Sequence, residues 1–209
     1  MAASRPAAGG GRWVEVAPER LERWLAGFAE RHGTVPGDDP ARLLGADGEV
    51  AEVEVPYPPL VGDLVEHCLR PRRLGLLLVR LGGHAMGIAE GERLVLSKVG
   101  SRQVHGRSAA GGWSQQRFAR RREGQVRVAL GAATQSAVDV LLPHAASLEG
   151  LVTGGERTAV TAVLEDRRLG PLAALPRGRF LDVPDPRLAV LQTVPALARS
   201  VRIRVLPAP

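Results

Sequence analysis

At 209 residues the chain is long enough for one large or two small domains, taking about 150 residues per domain, and for a core that buries roughly 70% of its unfolded surface. Its single cysteine, Cys68, excludes an internal disulfide framework and any cysteine-only zinc site, and no apolar run approaches the roughly 18 residues of a membrane-spanning helix. The net charge is +6, and aromatic residues make up only 3% of the chain.

The opening MAASRPAAGGGR lacks the apolar stretch of a signal peptide, so residues 1–11 are expected to be a flexible tail and the protein cytoplasmic. Trp13–Val16 reads as a short strand. Ala17–Arg31 reads as a helix, with Pro18 in its first turn and Leu21, Trp24, Leu25 and Phe28 spaced at i, i+3, i+4 and i+7; Gly33 ends it. Residues 33–48 are rich in Gly, Pro and Asp and read as loop. Glu49–Val55 alternates polar and apolar side chains, as a half-buried strand does, and Leu60–Leu69 suits a short helix. The proline-rich PYPPL at 56–60 marks a subdomain boundary, with an N-terminal α+β segment at 12–72 and a second domain at 73–209.

Leu74–Leu81 is a continuous apolar run, the signature of a central strand covered on both faces. Ala85–Ala89 and Arg93–Val99 follow as strands, and the glycine turns between them predict an antiparallel meander. A basic loop then leads to a long helix starting near Ser114, which Pro143 kinks or ends. Leu148–Thr153 reads as a strand, Glu156–Leu164 as a helix, Arg179–Val183 as a strand, Pro186–Arg199 as a helix and Val201–Leu206 as a last strand. This order predicts an α/β fold: a ribonuclease H-like mixed sheet with helices on its faces.

The charge is concentrated. Between Lys98 and Arg127 lie Lys98, Arg102, Arg107, Arg117, Arg120, Arg121, Arg122 and Arg127 against Glu123 alone, a net of +7 that leaves −1 for the rest. Such a patch is the electrostatic footprint of a nucleic-acid binder, although a solvated face also collects charge. On a helical wheel of about 100° per residue, Arg117, Arg120, Arg121 and Arg127 share one arc. Phe118, Val126, Ala129, Leu130, Ala133, Ala137, Val140 and Leu141 share the other. Gly124 and Gly131 fall on the arginine side, leaving room for a close approach.

The loop and first helical turns read HGRSAAGGWSQQRFARRREGQ from His105 to Gln125. This segment resembles the loop of class-one peptide-chain release factors of eukaryotes and archaea, in which His-Gly-Arg is followed by Gly-Gly-Gln, Ser and Arg-Phe-Ala-Arg. The matching residues are His105, Gly106, Arg107, Gly111, Gly112, Ser114, Arg117, Phe118, Ala119 and Arg120. The run GGWSQQRFARRR further resembles the actinobacterial branch of the Vms-like release-factor family, whose eukaryotic relatives act in ribosome-associated quality control. The resemblance implies a release-factor catalytic domain over 73–209 with its basic glycine loop at 98–114. It also implies a peptidyl-tRNA hydrolase whose partners are the large ribosomal subunit, its RNA and peptidyl-tRNA, with no cofactor.

One departure from the release-factor motif affects the choice of glutamine. Trp113 stands where that motif has its glutamine, and Gln115 and Gln116 follow two and three residues later. By the Vms-like pattern Gln115 is the better candidate, with Gln116 the alternative. The resemblance implies that Gly111 and Gly112 let the backbone approach closely while a glutamine amide orients water. Lys98, Arg102, Arg107, Ser114, Arg117, Arg120, Arg121 and Arg127 would hold RNA phosphates, and Trp113 would stack on a base. Two other readings stay open: metal-independent cleavage of the tRNA acceptor end, and a ribosome- or RNA-binding module without catalysis. The strand LGLLLVRL carries no carboxylate, which disfavours metal-dependent cleavage. His84, His67 and Cys68 show no metal-ligand spacing, and His144 is expected in the core.

Overall fold

A computed structural model describes residues 3–101 and 114–208, with the backbone alone for 3–4 and 114–121. The chain divides into two compact units, Met1–Pro71 with Arg199–Pro209, and Arg72–Ala198.

The first unit is built on a five-stranded antiparallel sheet in the order β1-β2-β9-β4-β3. Its strands are β1 (Ala3–Pro6), β2 (Arg12–Val16), β3 (Arg42–Leu44), β4 (Val50–Glu54) and β9 (Val201–Leu206). Helix α1 (Leu21–His32) buries Leu21 and Phe28 against Val14, Val16, Ala51, Val53, Val201, Ile203 and Val205. Gly33 ends it at φ +61°. The short helix α2 (Leu64–Leu69) starts four residues later than its apolar pattern predicts, because Asp63 caps it by accepting from the backbone N–H groups of Val65 and Glu66.

Two expectations are corrected here. Residues 3–6 are a strand rather than part of a loose tail. Gly9, Gly10 and Gly11 all take positive φ, which closes a hairpin, and the Arg204 guanidinium donates to the carbonyls of Ala8 and Gly9 at 3.3 and 3.1 Å. The last strand, β9, lies between β2 and β4 and not in the second sheet. Its alternation explains the placement: Val201, Ile203 and Val205 are buried, while Arg202 and Arg204 point to the polar face. There Arg202 pairs with Glu54 at 3.0 Å and lies 4.0 Å from the centre of the Trp13 ring. A sheet with one wet face suits that pattern. A further difference is that 42–44, inside the expected loop, add β3 as a short edge strand.

The second unit carries a four-stranded mixed sheet in the order β7-β6-β5-β8. Strands β5 (Arg73–Arg80), β6 (Gly83–Glu90) and β7 (Arg93–Ser101) form the expected meander, and β8 (Gly150–Gly155) runs parallel to β5. The central position of β5 accounts for its apolar run. One face packs Leu77, Val79, Met86, Ile88 and Leu151 against the long helix α3 (Ser114–Val140) and α4 (Arg157–Leu164). The other face meets α6 (Leu188–Arg199), whose Leu191 lies over Gly87. A short α5 (Gly170–Ala173) completes the unit.

Arg179–Val183 does not form a regular strand. The stretch from Arg177 to Leu181 touches β8 through two isolated parallel bridges, Leu151 with Arg177 and Gly154 with Leu181. Three steps along β8 thus face four along the other segment, and the extra residue breaks the ladder as a bulge. His144 also departs from expectation. Helix α3 ends at Val140, and His144 is half-buried in a 3-10 turn at Leu142–Ser147 rather than in the core.

At the end of β8, Gly155 has φ +101°, and a Cβ there would lie 2.3 Å from the Val79 carbonyl oxygen. Gly155→Ala is therefore expected to destabilise the fold by more than about 1 kcal/mol, read from the urea-unfolding midpoint.

Candidate nucleic-acid interface

The basic segment begins on β7, crosses the loop and continues along α3. Arg102, Arg107, Gly111, Gly112 and Trp113 lie outside the described residues, as does His105. Ser114, Gln115, Gln116, Arg117, Arg120 and Arg121 occupy the first two turns of α3, where the description is of the backbone. Farther along, the side chains of Arg122 and Arg127 are exposed.

Helix α3 is longer than the sheet it packs on. Ser136 Oγ lies 2.9 Å from His84 Nε2, and His84 pairs with Gly100 across the sheet; Lys98 Nζ donates to Asp139 Oδ2 at 2.9 Å. As α3 advances from 136 to 139, β7 therefore retreats from 100 to 98, so the two run antiparallel. Beyond Lys98 the strand has three more residues, about 10 Å at 3.3 Å each. Beyond Asp139, toward its N-terminus, the helix has 25 more, about 38 Å at 1.5 Å each. The beginning of α3 consequently projects well past the sheet edge.

Burial agrees with that geometry. Ala133, Thr134, Ser136, Ala137 and Val140 are buried, whereas none of residues 122–132 is. Val128 is half exposed, and a Cβ added at Gly124 or Gly131 would meet nothing within 4 Å. The first half of the helix is an arm that carries charge away from the core. A helix N-terminus also presents free N–H groups, which favour phosphate and other anions.

Lys98, expected as an RNA contact, is partly exposed and pairs with Asp139 at 2.9 Å. Its proton-donating neighbour holds the Asp139 carboxyl below the usual carboxylate range, helped by the Gln135 amide. His84 was not legible as part of this site. Its imidazole lies against Gly100, where a Cβ would come within 2.5 Å of the ring. Burial, and secondarily the Lys98 charge, hold it below its ordinary value. No sequence signal connects His84 with Ser136, which are 52 residues apart. Among the described residues, no group of His, Cys, Asp and Glu is arranged to hold a metal ion, and no helix is long and apolar enough to cross a membrane.

The family model of the Actinobacteria/chloroflexi VLRF1 release factor matches residues 72–204, more than half of the chain. The chain belongs to this release-factor family. Among solved structures it is similar to an archaeal translation termination factor, aRF1, at 19% identity and a TM-score of 0.41, over 61% of this chain and 36% of that one. It is also similar to a protein described only as archaeal, at 17% identity and a TM-score of 0.42, over 87% of this chain and 57% of that one. The chain thus spans between about a third and just over half of the length of these two. No curated protein matches it.

The His84 shift has a definite sign. Its folded-state value lies below the unfolded one, so as pH falls through about 6.5 the unfolded chain takes up a proton that the folded chain resists, and stability drops. Urea midpoints measured from pH 7.5 to 5.5 are expected to fall more steeply for the wild type than for His84→Gln.

Proposed function

We propose that this protein is a cytoplasmic peptidyl-tRNA hydrolase that frees nascent chains from tRNA on stalled large ribosomal subunits. The observation that carries the proposal is the arginine-bearing helical arm, which starts at the glycine loop and belongs to a release-factor family member. An arm that extends past the sheet of its own unit is the shape needed to reach a site enclosed by RNA. The ribonuclease H-like reading of the second unit is supported by the order β7-β6-β5-β8, with the bridged segment Arg177–Leu181 running parallel beside β8.

In the proposed reaction a water oxygen attacks the ester carbonyl carbon joining peptide to tRNA. The carbonyl–oxygen bond to the ribose then breaks, one water proton ends on the ribose oxygen, the other is released to solvent, and the peptide leaves as a carboxylate. The protein needs no nucleophile of its own. Its task is to place a small polar group and exclude misaligned water, and positioning of this kind lowers a barrier without titration. In this reading the amide of Gln115, or alternatively Gln116, orients the water. Gly111 and Gly112 allow the loop to enter, and Trp113 stacks on a base. Arg102, Arg107, Ser114, Arg117, Arg120, Arg121 and Arg127 contact RNA phosphates.

The test uses large subunits carrying labelled peptidyl-tRNA. Alanine at the operative glutamine is expected to slow release about 100-fold, the cost typical of removing one aligned donor. If Gln115→Ala and Gln116→Ala both release peptide like the wild type, the glutamine role fails. Binding to large subunits is expected to weaken steeply with salt, and Arg127→Ala to lower the log–log slope by about 1.

A further inference from the structure

An arm of this length amplifies any movement at its root: a 10° tilt about Asp139 shifts a tip about 38 Å away by about 7 Å. Catalytic positioning tolerates about 0.5 Å. The inner side of the root is held by packing of Ala133, Ala137 and Val140, with the Ser136–His84 hydrogen bond beneath. The outer side is held by a connected polar brace. Asp139 Oδ2 accepts from Lys98 Nζ of β7 at 2.9 Å, and its Oδ1 accepts from Gln135 Nε2 at 2.7 Å. Gln135 Oε1 in turn accepts from Arg168 Nη1 at 3.2 Å. Arg168 is fixed by a two-pronged contact with Asp166, both bonds at 2.9 Å, in the 3-10 turn that follows α4.

We infer that Asp139 is a positioning residue: it sets the angle of the α3 arm by tying the helix to β7 and, through Gln135, to the Arg168 turn, without touching substrate. The inference rests on the hydrolase reading for its consequence in catalysis, but its geometry is independent of that reading. The competing view is that these are ordinary surface ion pairs. Such pairs contribute little to global stability, so a brace and a bystander differ in arm geometry and turnover rather than in melting. The shifts agree with a brace that persists at neutral pH, since Arg168 lowers the Asp166 carboxyl to about 2 and Lys98 lowers Asp139.

The experiment places spin labels at Arg122→Cys on the arm and Thr161→Cys on α4, in full-length protein carrying Cys68→Ala, and measures the distance distribution. It is paired with peptide release from large subunits loaded with peptidyl-tRNA. For Asp139→Ala the distribution is expected to broaden or shift by several ångströms. Turnover (kcat) should fall about tenfold with KM for subunits unchanged within twofold, and the melting temperature should stay within about 2 °C. The charge exchange Lys98→Asp with Asp139→Lys is expected to restore both the distance and most of the turnover. An unchanged distribution overturns the brace, as does a rise in KM without a fall in kcat, or failure of the folded exchange variant to restore the geometry. If the distribution responds as expected but no protein, wild type included, releases peptide, the brace stands and the hydrolase reading falls.

Discussion

Everything distinctive about this molecule depends on the burial of one half of a helix. Ala133, Ala137, Val140 and Leu141 pack on Leu77, Val79, Met86 and Ile88, and this contact sets where α3 begins its course beyond the sheet. The other half receives little help from its own sequence. Cations in the first turns oppose the helix dipole, and Gly124 and Gly131 each cost about 1 kcal/mol relative to alanine. Helix formation is cooperative, so the arm propagates from its buried root rather than nucleating alone.

The two sheets show how burial decides where a strand goes. Strand β5 is apolar without alternation and lies between neighbours with helices on both faces. Strand β9 alternates strictly, and its arginines need water and carboxylates, which the first sheet supplies through Glu54 and the Trp13 face. The apolar pattern therefore separates strands by environment. It does not by itself rank two sheets that lie in the same chain, which is why the last strand, adjacent in sequence to α6, was expected in the second sheet.

From β5 to α4 the element bounds follow the sequence closely, because Leu74–Leu81, the glycine turns and the heptad-like spacing of Ala133, Ala137 and Val140 are local signals. Errors arise where a long-range partner overrides local chemistry. The glycines at 9–11 read as slack, yet Arg204, far along the chain, fixes them as a hairpin turn. The basic segment was legible as a run of arginines following a family motif. Its root was not: His84 with Ser136, and Lys98 with Asp139, meet only once the register of β6 and β7 is known. For Lys98 the sequence carries the charge but not the carboxylate that pairs with it.

The proposed reaction hydrolyses an ester and leaves the RNA intact. The most direct measurement incubates the protein with large subunits bearing peptidyl-tRNA and analyses both products, the peptide by mass and the RNA by sequencing its 3′ end. Ester hydrolysis is expected to leave a peptide ending in a free carboxylate and a tRNA that keeps its complete 3′ terminus. A shortened tRNA, with the missing nucleotides still attached to the peptide, would contradict it.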